Sequence, residues 1–473
     1  MQASFIRGVS FFFVLNILIK PIWIFGIDMV VQNRVGPEIY GEYFAVLNLT
    51  LMFAVLLDAG INMSNTRNVA GEMGNIGDFF PSLVGLRFSL LILFLLVVGS
   101  IGIVLGYDSK MMGMLAWLGF NQFLLASVLF VRSYVGGLRW FSWDAFLSIA
   151  DKVFMVLVVG YFLYFQKEKT FQIEYLIAGQ TAAYFLALST GLGVIRRELG
   201  KMQWLPKIAV MRKKLREALP YATLILLMGL YTRMDGVMIE RISGKEASGM
   251  YAGAFRLLDI AIQMGVLFSF VLIPIITRKI QQKAYFGTLM RSSFNLLLSI
   301  SLSAVVISVF FKNEIIHLFY LHATPRMSIT FAVLMCTLPA FYMGYLFGSA
   351  LTAGGQTRIL NRIAIGGLIL NFFLNIIAIS LYGELGAAVT TLITQWLAAL
   401  LQMIAAKRIY NIKIAKVQWA SLVAMMFTQY GVYLAASMVF RWEISLVIGG
   451  IFALSTPFLF KLVLPSRLVS LRQ

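Results

Sequence analysis

Residues 36–43, GPEIYGEY, and residues 244–251, GKEASGMY, share the pattern G-x-E-x-x-G-x-Y, 208 positions apart (36 to 244). Each copy lies between two long apolar runs, so each reads as a tight turn joining two membrane helices. The same turn after the first apolar run of each half marks a duplicated chain. Because the copies share their place in the topology, the repeats are expected to be parallel, related by a pseudo-twofold axis along the membrane normal. A weaker echo pairs Gly136-Gly137 with Gly354-Gly355, after the fourth run of each half.

Around these turns the chain is uniformly apolar. Of its 473 residues, 60% are hydrophobic, 12% charged and 14% aromatic, and mean hydropathy is +0.86. Soluble domains carry about twice that share of charge, and disordered chains carry far fewer apolar residues. Runs long enough to span a bilayer recur from roughly 10–33 to 443–463, and the pattern predicts an all-α polytopic membrane protein of about fourteen transmembrane helices. These divide into an N-terminal six-helix lobe over 1–200, a basic amphipathic cytoplasmic connector over 201–218, a C-terminal six-helix lobe over 219–406, and two extra helices in 407–473.

The net charge of +19 would suggest nucleic acid in a soluble chain. Here placement decides otherwise. With the spans so drawn, twenty-six Lys and Arg fall on the side of the termini, Arg87 among them, and nine on the other. The positive-inside rule puts both termini in the cytoplasm and leaves no role for nucleic acid. One cysteine, Cys336, and two loop histidines, His317 and His322, offer no disulfide and no metal cage.

Ionisable groups inside spans are costly, so they line polar cavities or pair with one another. Lys20, Arg233 and Arg256 are the candidates to face a cleft and bind an anion, because guanidinium grips phosphate bidentately and ammonium acts as a point charge. Structural pairing is the competing account, and Arg256 with Asp259 at i, i+3 suits it. Asp28, Asp58, Asp235 and Asp259 are candidates for gates or for coupling to Na⁺ or H⁺. No cofactor is called for, and no Walker A, H-E-x-x-H or G-x-S-x-G motif occurs. The short outer loops leave no room for a membrane glycosyltransferase or polymerase site, so no enzyme is expected.

Several stretches resemble the polysaccharide branch of the multidrug/oligosaccharidyl-lipid/polysaccharide exporter superfamily. They are Asp58-Ala59-Gly60-Ile61 with Asn65–Ala70, Tyr231–Asp235 with Gly249–Leu257, and Leu351–Gly355 with Asn371, Asn375 and Tyr382–Ala388. The resemblance implies a flippase that moves undecaprenyl-diphosphate-linked oligosaccharide from the cytoplasmic to the outer leaflet by alternating access, for O-antigen, capsule or exopolysaccharide. It implies membrane lipids, and a glycan polymerase and chain-length regulator, as partners of a monomer. A cation-coupled multidrug exporter and a peptidoglycan lipid-precursor flippase are the alternatives. Lys20 in place of an arginine cluster in the first lobe weakens the latter.

Overall fold

The computed structural model describes residues 15–16, 18–58, 60–62, 65–66, 69, 76–165, 170–199, 208–460 and 462. Of residues 76–79, 199, 208–211, 213–225 and 228 it describes the backbone only. Among the described residues there are helices and turns and no strand. Eleven helical segments among the described residues are long and apolar enough to cross a membrane. Part of the predicted connector, residues 201–207, lies outside the described residues, and from Ile208 the chain is already in the long helix Ile208–Ser243.

Two of the eleven segments are hairpins. In the first, Leu18–Asp58, Gly36 interrupts the helix with φ +81°. The phenol of Tyr40 then donates to Asp28 at 3.0 Å, although those residues would stand about 18 Å apart along a straight helix. In the second, Thr357–Tyr410, the break is Gly383 with φ +54°. There Asn371 Nδ2 lies 3.4 Å from Thr394 Oγ1, a pair that a straight helix would separate by about 35 Å. A left-handed residue reverses the chain in each, and glycine adopts it without a Cβ penalty. The pause in the apolar pattern at Tyr382-Gly383-Glu384 falls on this second break.

The chain forms two compact units, Met1–Gly249 and Met250–Gln473, and their division falls inside the helix Lys245–Gln281. In the first, Phe141–Tyr164 and Ser109–Gly137 both pack on Ile173–Leu199, while Ile208–Ser243 packs along the first hairpin. Its apolar core gathers Ile61, Leu86, Phe130, Tyr134 and Leu147. In the second, Leu338–Ala353 packs against the Thr357–Tyr410 hairpin, and Gly287–Phe310 packs on both Leu338–Ala353 and Lys416–Val439. A smaller core there joins Val306 and Phe311 to Tyr433.

The duplicated motif folds alike in both copies. Gly36 (φ +81°) and Gly244 (φ +94°) each separate one helix from the next. The second glycine of each copy then brings the backbones together. A Cβ on Gly41 would lie 1.8 Å from the carbonyl oxygen of Lys245, and one on Gly249 would lie 1.9 Å from that of Pro37. Side chains seal the crossing: Gln32 Nε2 donates to the Gly249 carbonyl at 2.9 Å, and Ser248 Oγ to that of Gly41 at 3.3 Å.

The weaker echo corresponds in shape but not in register. The turn after Ser109–Gly137 closes with Trp140 N–H on the Val135 carbonyl, and that after Leu338–Ala353 with Gln356 N–H on Leu351. Both are Schellman ends. Their left-handed residues are Arg139 and Gly355, so Arg139, two positions beyond Gly137, matches Gly355.

Because the Gly41–Gly249 crossing admits no side chain, Gly41→Val should cost about 4 kcal/mol or more. Thermal unfolding of the purified protein checks this. Gly99→Ala, where a Cβ meets nothing within 4 Å, should leave the midpoint unchanged or slightly raised.

Candidate functional site

The first hairpin arm carries Lys20, which is exposed, one residue before Pro21. Beyond it lies a π turn over Ile24–Asp28, closed by Met29 N–H on the Ile24 carbonyl. A π turn admits one extra residue and so rotates the helix on one side of it by about 100° relative to the helix on the other. Across it the exposed ammonium of Lys20 gives way to the buried carboxylate of Asp28, held by Tyr40.

On the helix Ile208–Ser243, Arg233 is half-buried and Asp235 buried. They sit two residues apart and diverge around the axis. Arg256 and Asp259 are both half-buried on the helix Lys245–Gln281, in the second unit. Lys20, Asp28, Asp58, Arg233 and Asp235 belong to the first.

Asp58 has a cation that hydropathy alone places elsewhere. Arg87, counted among the basic residues of the terminal face, is only 3% exposed. Its guanidinium donates to Asp58 Oδ1 at 3.1 Å, to Asn62 Oδ1 at 2.6 Å and to the Ala126 carbonyl at 2.9 Å. It also lies 4.4 Å from the centre of the Phe130 ring. The cause is a helix boundary: the apolar run that starts at 82 begins as helix at Ile76, which sets Arg87 three turns inside. A lone arginine within FFPSLVGLRFSLL was the available signal.

Three more carboxylates are clamped near helix ends. Glu42, 3% exposed, lies 3.3 Å from both Lys110 Nζ and Lys245 Nζ. Glu240 pairs with Arg241, whose guanidinium also donates to the Leu105 carbonyl at 3.0 Å and stands 4.8 Å from the centre of the Tyr107 ring. In the second unit Arg326 Nε is 2.9 Å from Glu384 Oε1. Between Ile76–Val104 and Ser109–Gly137, burial pushes the Tyr107 phenol up from its usual range. The Met111 N–H at 2.8 Å caps the next helix on Asp108 and holds that carboxyl below its usual value. Pairing is thus the common fate of these acids. Among the described residues no cluster of three or more metal-ligating side chains occurs.

Hairpins reversed at left-handed glycines, long apolar helices and buried ion pairs make this a polytopic all-helical membrane protein. Its fold is that of a lipid II flippase, MurJ, in an inward closed conformation, with TM-score 0.78 and 16% identity over 95% of this chain and 97% of that one. It is also that of an inward-facing multidrug resistance MATE family transporter of the MOP superfamily (TM-score 0.59, 13% identity, 81% and 93% covered). A further MOP superfamily transporter, from Pyrococcus furiosus, matches at TM-score 0.58 and 13% identity over 86% and 95%. The chain belongs to the polysaccharide biosynthesis protein family, whose model matches residues 5–280. No curated protein matches the sequence.

Removing Arg87 would leave Asp58 partly buried without its cation. Arg87→Met should destabilise the protein by about 3 kcal/mol, and Arg87→Met with Asp58→Asn should recover much of that loss. Thermal unfolding of the single and double variants measures the coupling.

Proposed function

We propose that this protein flips an undecaprenyl-diphosphate-linked oligosaccharide from the cytoplasmic to the outer leaflet of the bacterial inner membrane by alternating access. The observation that carries this reading is the family match over residues 5–280 on a chain with a transporter's fold. A diphosphate needs cations in a setting of low dielectric. Lys20 is exposed and Arg233 and Arg256 are half-buried, so all three are accessible enough to serve. Both termini lie in the cytoplasm in this reading, the protein acts as a monomer without enzymatic chemistry, and a polymerase with its chain-length regulator takes up the product.

In the same reading the two lobes of 1–200 and 219–406 rock about the cleft, with 201–218 lying along the inner leaflet and 407–473 outside the repeat. Asp58 and Asp28, held by Arg87 and Tyr40, serve as latches. Asp235 and Asp259, like Asp28 and Asp58, are candidate sites for a coupling Na⁺ or H⁺. Potential acting on the cleft cations is the other source of drive. The likeness to the lipid II flippase favours a second reading, in which the cargo is a peptidoglycan precursor on the same diphosphate carrier.

Deletion of the gene, with extraction of lipid-linked intermediates, separates the two. Loss of surface glycan with the oligosaccharide intermediate accumulating on the cytoplasmic side supports the proposal. Accumulated lipid II with cell lysis supports the second reading, and altered drug susceptibility with intact glycan would support a multidrug exporter. Lys20→Ala and Arg233→Ala, expressed at normal level, should each reduce glycan display about tenfold or more, as expected for losing a charge-assisted contact to phosphate. Normal display in both variants would overturn the cationic cleft.

A further inference from the structure

The arms of the Thr357–Tyr410 hairpin enclose a groove with no part in the proposed transport. Its volume is about 370 Å³; Ile363 and Gly366 line it from one arm and Thr394, Leu397 and Leu401 from the other, with Arg362 at one end. The wall is effectively apolar, because the hydroxyl of Thr394, its polar member besides Arg362, already donates to the Thr390 carbonyl at 2.9 Å. Leu397 and Leu401 are exposed, as are Ile365 and Ile369 beside them.

An apolar groove opening on hydrocarbon forfeits dispersion contacts unless a chain fills it. With no free hydrogen-bonding group along the wall, a sugar or a polar drug would lose its hydration without compensation. Hydrocarbon fits. The end of the groove is different: Arg358 and Arg362 on one arm, and Lys407 and Arg408 on the other, make the open end of the hairpin basic on both sides. No carboxylate among the described residues pairs with Arg362. A guanidinium beside an apolar slot is complementary to a lipid phosphate with its chain attached. From Thr394 to Leu401 the wall runs about 10 Å, which suits part of one acyl chain.

We propose that this groove holds one anionic diacyl phospholipid, an acyl chain lying between the hairpin arms and its phosphate on Arg362. The site stands apart from the transported cargo and does not depend on the flippase reading.

Native mass spectrometry of the purified full chain tests it, with dioleoyl-phosphatidylglycerol, dioleoyl-phosphatidylcholine and undecaprenyl phosphate as probes. The wild-type protein should retain phosphatidylglycerol in preference to phosphatidylcholine. Arg362→Ala should weaken phosphatidylglycerol retention about fivefold, whereas Arg278→Ala, at an exposed arginine on another helix, should not. Gly366→Phe, projecting into the groove, should reduce retention of both phospholipids, with Gly366→Leu as the milder substitution if the first fails to fold. Three results would overturn the proposal: equal retention of the two phospholipids by wild type, equal behaviour of Arg362→Ala and Arg278→Ala, or displacement of phosphatidylglycerol by equimolar undecaprenyl phosphate. The last would make the groove a berth for the polyprenyl carrier.

Discussion

The contact on which the first unit depends is made by backbone alone. Gly41 and Gly249 let the helices that succeed the two G-x-E turns meet with no side chain between them, each glycine against the other helix's carbonyl. Everything near that crossing is arranged by it. Gln32 and Ser248 bond across it, Tyr40 reaches back to Asp28, and Glu42 is carried to within reach of both Lys110 and Lys245. A tyrosine ends each motif copy, and both are buried: Tyr43 accepts from Gln180 at 2.7 Å, and Tyr251 stacks on Phe255.

Charge in this protein is distributed by the cost of leaving it unpaired. A carboxylate in an apolar setting is tolerated when a cation and further donors surround it. Arg87 shows the full form, with Asp58, Asn62 and the Ala126 carbonyl as acceptors and a ring face below. Such a cluster fixes geometry more than it adds stability. Lys20, which is exposed, and Arg233 and Arg256, which are half-buried, differ from Arg87 in accessibility.

The helical architecture is legible in the sequence because apolar runs of membrane length are hard to produce by any other fold. The turns are legible too: glycines at 36, 244 and 383 fall where the runs pause, and each takes a left-handed conformation. Pairing is not. The cations of Glu42 come from Lys110 and Lys245, which are 68 and 203 positions away in a chain where no local spacing links them. Hydropathy misplaces Arg87 because its helix starts six residues before the apolar run. Arg139 escapes notice as the counterpart of Gly355 because a left-handed arginine carries no glycine to announce it. Asp28, Asp58, Asp235 and Asp259 are recognisable as costly residues, yet sequence does not say which neighbour satisfies each.

The hairpin Thr357–Tyr410 is joined at several levels. Gly386 sits against the Ala378 carbonyl near the reversal, and Asn371, which accepts from Asn375 on its own arm, donates across to Thr394 on the other. Helices tied in this way do not slide past one another without breaking buried polar contacts, so the pair behaves mechanically as a single beam. A crevice along such a beam keeps its width for as long as the two arms stay joined. A molecule lodged there would be gripped by one rigid element, so its residence would be set by its own dissociation.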